Sequence, residues 1–266
     1  EDDRRLFSNP PKLNIIALQD SLELDADQIW QDLNLKKKKK KGSHVDLFGN
    51  DQKDLSSPEN DARYALIQEL AEKFKEATTF GSLISMDSSE QDFADLQNTI
   101  ENLVADGDTL QKAAAKKLLP LVIQAKILAK KYDAVIANPP YMGGKGMNTA
   151  LKDFAKKKFP DSKSDLFAMF IERGFTWCKD SGFNSMVTMQ SWMYLSSYEA
   201  MREKLLKDRT FSCMAHMGNG VMGIAFGTAA TIMLNKHIGD YAGSFSYCEY
   251  DDINENGIPK QFPVKN

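Results

Sequence analysis

Apolar residues recur with two different periods along this 266-residue chain, and the change falls near residue 132. Before that point, spacings of three and four residues are typical of amphipathic helices. After it, short apolar runs that end at glycine, proline or asparagine alternate with helical segments. The pattern predicts helices at 61–74, 90–103, 111–131, 164–179 and 196–207, and strands at 12–21, 132–137, 183–189, 211–217, 227–235 and 244–250.

Three local signals refine these elements. Pro120 lies inside the third predicted helix and predicts a kink or two abutting helices, because proline lacks an N–H. Ser196 and Glu199 have the spacing of a capping box, which predicts where the last helix begins. The apolar run at 132–137 is short and bounded by breakers, so it predicts a strand that is covered on both faces.

The order of elements in the second half predicts the fold. Strand, helix, strand, helix, strand and strand indicate an α/β fold with a mainly parallel sheet, helices on both faces and a terminal antiparallel hairpin. We divide the chain into a strand of that sheet (1–21), a loop-rich and helical insertion (22–131), a catalytic half (132–245) and a C-terminal extension (246–266).

Composition narrows the class of protein. The net charge of −3 excludes a polycation that coats nucleic acid, so any DNA-facing surface has to be local. Three widely spaced cysteines favour a reducing compartment and argue against disulfides or a zinc site. No apolar run approaches the roughly 20 residues of a membrane span, and we expect a cytoplasmic bacterial protein without a signal peptide. The run Lys36–Lys41 predicts a solvated loop, with an electrostatic DNA contact as the alternative.

The chemistry-bearing stretch is Asn138, Pro139, Pro140 and Tyr141, directly after the predicted strand 132–137. Proline has no N–H and a fixed φ, so the two prolines end the ladder and stiffen the backbone. The Asn138 side-chain carbonyl and the Pro139 main-chain carbonyl are then preorganised acceptors at the edge where open α/β sheets bind ligands. Tyr141 adds an aromatic face.

Two acceptors beside an aromatic face suit an exocyclic amine on a planar ring, such as N6 of adenine. Accepting from both N–H bonds withdraws the nitrogen lone pair from conjugation and directs it at an electrophile. The expected catalysis is positional and electrostatic, without a covalent intermediate. A turn of no function is the competing interpretation, and the order of the surrounding elements argues against it.

The loop that follows holds three glycines between residues 143 and 146, around Lys145. Their spacing fits neither a P-loop nor a dinucleotide turn, so we predict a mobile loop that closes over the substrate. Lys145, Lys156 and Lys157 are candidate contacts to DNA phosphates. For the last two, a solvated helix face is the alternative.

Four further side chains receive structural interpretations. Trp192 is expected in the core, with a second stacking platform as the alternative. The three histidines, His44, His216 and His237, have no partner at ligand or triad spacing, so we predict structural roles for them and no metal site.

The stretch "YDAVIANPPYMGGKGMN" resembles motif IV of the S-adenosylmethionine-dependent amino-methyltransferases, whose signature is Asn/Asp/Ser-Pro-Pro-Tyr/Phe/Trp. With "KLNIIALQDS", "FPDSKSDLFAMFIERGF" and "MQSWMYLSSYEAMR", the chain is similar to the adenine-specific DNA methyltransferases of BREX phage-defence systems, the PglX family of type IIG-like enzymes. The resemblance covers most of residues 1–21 and 61–236.

This resemblance implies a Rossmann-like methyltransferase sheet, S-adenosylmethionine as cofactor, and double-stranded DNA and other defence-system proteins as partners. It implies that residues 138–141 hold a flipped adenine, since the N6 amine is inaccessible inside the duplex. Asp20, Asp165 and Phe167 match positions that border the cofactor in the family, with Asp20 at the end of the predicted first strand.

The departure from the family pattern concerns the donor half of the reaction. The family's glycine-rich "Asp-Pro-Ala-Cys-Gly-Ser-Gly"-like turn is not in this sequence. We therefore expect the second half of a methyltransferase domain, a piece of a longer protein that does not methylate by itself. Two alternatives stay open: another amine substrate, cytosine N4 or a protein glutamine, and a DNA-binding or assembly module without catalysis.

Overall fold

The structure is a computed structural model that describes residues 13–22, 24–35 and 61–261. It divides into two compact units, Glu1–Leu128 and Ala129–Asn266. The Lys36–Lys41 run and His44 lie outside the described residues. No helix in the described ranges is long and apolar enough to cross a membrane.

The N-terminal unit is helical. Its helices are α1 Ala26–Leu33, α2 Ala62–Lys73, α3 Ala77–Phe80, α4 Glu90–Asp106 and α5 Thr109–Ala129. Helix α2 packs against α1 and α4 around fully buried side chains such as Ile67, Leu70 and Phe93. The predicted helices 61–74, 90–103 and 111–131 are confirmed, and α5 continues as one helix through Pro120.

The prediction of a strand at 12–21 is wrong for its described part, because residues 13–21 form no strand. The main-chain polar groups of this segment bond to helices instead. The Gln19 N–H donates to Gln124 Oε1 at 2.9 Å and the Gln19 carbonyl accepts from Gln124 Nε2 at 3.0 Å. The Ser21 N–H donates to the Phe74 carbonyl at the end of α2. Ile15, one of the residues that suggested a strand, is 80% exposed.

The described part of the C-terminal unit holds one five-stranded sheet and three α-helices. In chain order the elements are β1 Tyr132–Ala137, α6 Thr149–Lys158, α7 Leu166–Trp177, β2 Cys178–Met189, α8 Glu199–Asp208, β3 Thr210–Met217, β4 Thr228–Leu234 and β5 Ser244–Cys248. The spatial order is β1-β2-β4-β3-β5. Pairing is parallel for β1–β2 and β3–β5 and antiparallel for β2–β4 and β3–β4. Four strands therefore point one way and β4 the other, which confirms the predicted α/β fold with a mainly parallel sheet and an antiparallel hairpin.

One face of the sheet carries the core of this unit. Alternate residues of the strands pack against α7 and α8 on that face. Met186 of β2 and Met233 of β4 belong to the resulting buried cluster. The buried set is Phe167, Ala168, Ile171, Phe175, Met186, Trp192, Tyr198, Met201, Leu205 and Met233. Trp192 is 3% exposed and its Nε1–H donates to Thr188 Oγ1, so its predicted core position is confirmed.

Strand β1 is covered on one face only, which corrects the prediction of full cover. Val135 and Ala137 pack against the core cluster, whereas Ile136, which points to the opposite face, is 80% exposed. On that same face Phe183, opposite Ala134 on β2, is 42% exposed. Although β1 is an apolar run, the described residues therefore cover only one of its two faces.

The predicted capping box at Ser196 is also wrong. Residues 196–198 form a single 3₁₀ turn, and α8 begins at Glu199 with Tyr198 as an N-cap that makes no side-chain hydrogen bond. Tyr198 is 3% exposed and its ring lies 6.0 Å from Phe167, so burial of the ring sets the helix entry. A capping box does form elsewhere, between Ser89 and Asp92 at the start of α4.

Candidate functional site

The candidate site lies at the carboxyl edge of the sheet. Strands β1, β2, β3 and β5 run in the same direction, so their carboxyl ends meet along one edge. The segment 138–141 leaves β1 at that edge, and Gln190 leaves β2 beside it. Open α/β sheets bind ligands at this edge, so the predicted placement of the motif is confirmed.

Asn138 and Tyr141 are in direct contact. The Tyr141 hydroxyl donates to Asn138 Oδ1 at 3.3 Å. Pro139 between them is buried, whereas Asn138 and Pro140 are exposed. Within the described part of the chain, no group donates to the Pro139 carbonyl. The segment thus offers two carbonyl acceptors, one held by a tyrosine hydroxyl and one without a protein donor.

Two aromatic side chains set the position of the Tyr141 ring. Phe167, at the start of α7, meets it edge to face at 6.0 Å and 89° between ring planes. Phe226 meets it from the loop between β3 and β4 at 5.7 Å and 68°. Burial raises the pKa of the Tyr141 hydroxyl, so this group stays protonated and keeps donating to Asn138 at neutral pH.

Phe226 is the residue that sequence reasoning missed. It is 39% exposed although it contacts Tyr141, so one side of its ring remains accessible. The contact joins Tyr141 and Phe226, which are 85 residues apart, and no local pattern in the sequence predicts such a contact. The available signal was a single aromatic residue in the glycine-rich stretch "GNGVMGIAFG" directly before a strand.

Asp165 lies beside this segment as the N-cap of α7. Its Oδ1 accepts from the Met142 N–H at 2.9 Å and from the Phe167 N–H at 3.3 Å. Burial raises the pKa of this carboxyl, and the hydrogen bonds from the main chain of Met142, Phe167 and Leu166 oppose that rise. The carboxylate therefore binds the backbone on both sides of the Tyr141–Phe167 contact.

In this structure, each of the three residues predicted to border a cofactor is buried or bonded within the protein. Phe167 is 1% exposed, so its ring offers no surface to a ligand. The two carboxylate oxygens of Asp20 accept from the N–H and the hydroxyl of Thr78, each at 2.8 Å, and these bonds lower the pKa of Asp20. Asp165 is engaged with Met142. Their role toward a cofactor stays a prediction.

The lysines proposed for DNA contact are all exposed. Lys145 lies in the glycine loop, and Lys156 and Lys157 lie in the last turn of α6. Lys156 pairs with Asp153 at 3.3 Å. Basic residues also suit the negative end of a helix dipole, so their position on α6 has a structural explanation beside the predicted one.

His216 has partners that the sequence did not reveal. On β3 its Nε2 lies 2.6 Å from Gln190 Oε1 and 3.2 Å from the Tyr194 hydroxyl, and its ring is 4.7 Å from Tyr247. Desolvation lowers the pKa of this imidazole, which favours the neutral form. His237 is exposed. Among the described residues, no group of three or more His, Cys, Asp or Glu side chains is arranged to hold a metal.

The chain matches the family model of the Eco57I restriction-modification methylases over residues 18–221. It is 46% identical over 252 residues to the adenine-specific methyltransferase BrxX of Escherichia coli O9:H4 (strain HS), covering 92% of this chain and 20% of that protein. It is 31% identical over 181 residues to the adenine-specific methyltransferase PglX of Lacticaseibacillus casei (strain Zhang), covering 65% of this chain and 15% of that protein. The chain thus spans a fifth or less of the length of these curated relatives.

Among solved structures, it is similar to a putative class I S-adenosylmethionine-dependent methyltransferase from Listeria monocytogenes. The TM-score is 0.37 at 15% sequence identity, with 58% of this chain and 55% of that chain covered. A score of this size carries no argument of its own.

Proposed function

Because this chain belongs to the Eco57I restriction-modification methylase family, we propose that it carries the target-base half of a DNA adenine-N6 methyltransferase that acts in phage defence. The observation that carries the proposal is the arrangement of Asn138, Tyr141 and the Pro139 carbonyl, to which no described group donates, at the carboxyl edge of the sheet. S-adenosylmethionine would supply the electrophilic methyl group.

The chemistry assigned to this chain concerns the acceptor amine. The two N–H bonds of adenine N6 would donate to Asn138 Oδ1 and to the Pro139 carbonyl. In this position, the lone pair of the nitrogen is withdrawn from conjugation with the adenine ring and points at the incoming methyl carbon. S-adenosylmethionine, when bound, would supply the methyl group and leave as the neutral thioether, and the proton lost from the nitrogen would pass to water. No strong base is needed before attack, because the positive charge develops between two preorganised dipoles.

The aromatic side chains would hold the base outside the duplex. A nucleobase flipped from the stack loses the stacking energy of its neighbours, and a ring on the protein side restores part of it. Tyr141 supplies one such ring and the accessible side of Phe226 a second. Their mutual angle of 68° suits one face-on and one edge-on contact to the same base.

The geometry of the site and the family of the chain support a proposal for the substrate. We place double-stranded DNA as the partner, with Lys145, Lys156 and Lys157 as candidate phosphate contacts, and other proteins of the same defence system as further partners. We propose the bacterial cytoplasm as the location, because the proposed DNA substrate lies there. The carboxylates of Asp20 and Asp165 bond within the protein, and the ring of Phe167 is buried.

The test replaces Asn138 with alanine in a full-length protein that contains this chain. Removing one preorganised polar group from a developing charge costs about 100- to 1,000-fold in kcat, so Asn138→Ala should lose transfer of tritiated methyl to an unmethylated plasmid by that factor. Asn256→Ala is the matched control, because Asn256 is exposed and distant in sequence from the site.

Two outcomes would contradict the proposal. Equal methyl transfer by Asn138→Ala and Asn256→Ala would show that the motif has no role in the reaction. Label recovered in cytosine or in protein, with none in adenine, would establish one of the other amine substrates in place of adenine.

A further inference from the structure

The segment that follows Tyr141 is clamped to the start of α7 by its main chain. The Leu166 N–H donates to the Met142 carbonyl at 3.2 Å, and the Gly144 N–H donates to the Ser164 carbonyl at 3.2 Å. Between these bonds, Gly143 and Asp165 form an isolated antiparallel bridge. Three residues after the motif therefore pair with three residues at the entry to a helix that lies more than 20 positions later.

The side chain of Asp165 adds the shortest bond of this clamp. Its Oδ1 accepts from the Met142 N–H at 2.9 Å, compared with 3.2 Å for the two backbone bonds. The carboxyl group is buried at 9% exposure. Hydrogen bonds to a charged acceptor are roughly twice as strong as neutral ones, so this contact is the main attachment of the segment.

An ordinary helix cap does not require this contact. Capping needs one side-chain oxygen that accepts from N2 or N3, and here the Phe167 N–H fills that role at 3.3 Å. The bond to Met142 exceeds the needs of the cap. It connects the residue after Tyr141 with the residue that holds Phe167, and the rings of Tyr141 and Phe167 touch.

We propose that Asp165 is a positioning residue of the target-base site, whose carboxylate fixes the backbone after Tyr141 against the start of α7 and so sets the orientation of the Tyr141 ring toward the base. This inference rests on the proposed function. It assigns Asp165 an internal role in place of the cofactor contact that the sequence suggested. Asp165 acts through Tyr141 and does not touch the reacting atoms.

Two substitutions separate this role from capping. Serine at 165 keeps a capping oxygen for the Phe167 N–H but is one bond shorter and has a single oxygen, so it loses Met142. Asparagine keeps an oxygen at the position of Oδ1 and with it both bonds. A misplacement of about 1 Å at a reacting group costs about 100-fold in rate. We expect a 10- to 100-fold fall in kcat for Asp165→Ser, within the ~100-fold cost of such a misplacement. We expect a smaller fall for Asp165→Asn, which keeps both bonds but loses the charge that strengthens them.

The experiment uses the full-length protein and four readouts. They are methyl transfer to unmethylated plasmid, calorimetric titration with S-adenosylmethionine, hydrogen exchange of the peptide spanning residues 138–146, and fluorescence of 2-aminopurine placed at the mapped target adenine. Asp165→Ser should exchange faster in that peptide, show a weaker 2-aminopurine signal and bind S-adenosylmethionine as wild type does. A residue that acts only as a cap would change none of these.

The inference is overturned if Asp165→Ser matches wild type in kcat and in exchange at 138–146. It is equally overturned if Asp165→Ser loses S-adenosylmethionine binding while exchange and 2-aminopurine fluorescence are unchanged, since that result marks a cofactor contact. Failure of the proposed function has a different signature: the wild-type protein itself then methylates no adenine, and Asn138→Ala behaves identically to it.

Discussion

Tyr141 is fixed at three points, and each lies in a different part of the chain. Its hydroxyl bonds to Asn138 within the motif, its ring edge meets Phe167 on α7, and its other side meets Phe226 from the β3–β4 loop. Of the two phenylalanine rings, Phe226 is the more accessible, at 39% exposed, and Phe167 is buried. Phe167 therefore supports the tyrosine, whereas Phe226 can also meet a substrate.

Replacing Phe226 tests that distinction. Base–aromatic stacking is worth about 1–3 kcal/mol per base, so Phe226→Ala should lower kcat/KM for DNA methylation about 5- to 150-fold, and Phe226→Tyr should restore most of it. Phe245→Ala is the control, because Phe245 is 56% exposed on the outer strand β5. Methylation kinetics on unmethylated plasmid give the answer. Equal losses for Phe226→Ala and Phe245→Ala would contradict a role at the base.

At the scale of single residues, the sequence predicts contacts between residues that are close along the chain. Asn138 and Tyr141 are three residues apart in a proline-stiffened segment, so their contact follows from local geometry. The bond between Met142 and Asp165 spans 23 positions and the Tyr141–Phe226 contact spans 85. These depend on how helix and loop return to the sheet edge, which local patterns do not encode.

Helix α7 approaches the sheet closely, and a glycine makes this possible. A Cβ built at Gly174 would lie 2.5 Å from Asn184 Oδ1 and 2.6 Å from Met186 Cε, both on β2. Asn184 is fully buried and its Nδ2 donates to the Ile171 carbonyl, so it has little freedom to move aside. The helix that carries Asp165 and Phe167 is thus seated on β2 at van der Waals distance.

Gly174→Ala should therefore destabilise the chain although alanine favours helices. The gain in helix propensity is about 1 kcal/mol, whereas overpacking costs about 1–3 kcal/mol. With two short contacts on a buried neighbour, we expect a net loss of up to about 2 kcal/mol in the free energy of unfolding, measured by urea denaturation.

Gly239→Ala is the control for this comparison, because no atom lies within 4 Å of a Cβ there. It should change stability by less than about 0.5 kcal/mol. A more stable Gly174→Ala variant would show that α7 shifts freely on the sheet.

Helices and strands were predictable where the spacing of apolar residues and the residues that end an element indicate the same bounds. The strands at 132–137, 211–217 and 227–235 are found within about a residue, because short apolar runs between breakers have few other solutions. The segment 12–21 has a similar pattern, but its polar main-chain groups bond to α2 and α5. Ser196 and Glu199 have the spacing of a cap, and burial of Tyr198 overrides it. Tertiary contacts decide such cases.

At the scale of the whole molecule, the question is whether this chain holds a site for the methyl donor as well as the proposed site for the acceptor amine. The chain spans 20% and 15% of its two curated relatives. Its sequence lacks the glycine-rich turn expected to hold the donor, and the carboxylates of Asp20 and Asp165 are engaged with Thr78 and Met142. The residues that we propose for the acceptor amine, 138–141, all lie within this chain.

We expect the 266-residue chain alone to transfer no methyl group, and a full-length protein that contains it to methylate adenine. Parallel calorimetric titrations with S-adenosylmethionine should show binding for the full-length protein and none for the chain. Tritium incorporation into unmethylated plasmid provides the second comparison. Saturable binding and label transfer by the chain alone would contradict the expectation and place the donor site within these residues.

The reversed direction of β4 has a consequence for this site. Had β4 run parallel to its neighbours, the connection from β3 would have had to cross to the opposite edge of the sheet before the next strand began. Because β4 starts where β3 ends, the turn between them stays at the carboxyl edge and brings Phe226 to Tyr141. A single strand inserted against the common direction thus leaves the loop that precedes it beside the motif, where we propose that Phe226 forms the second wall of the site.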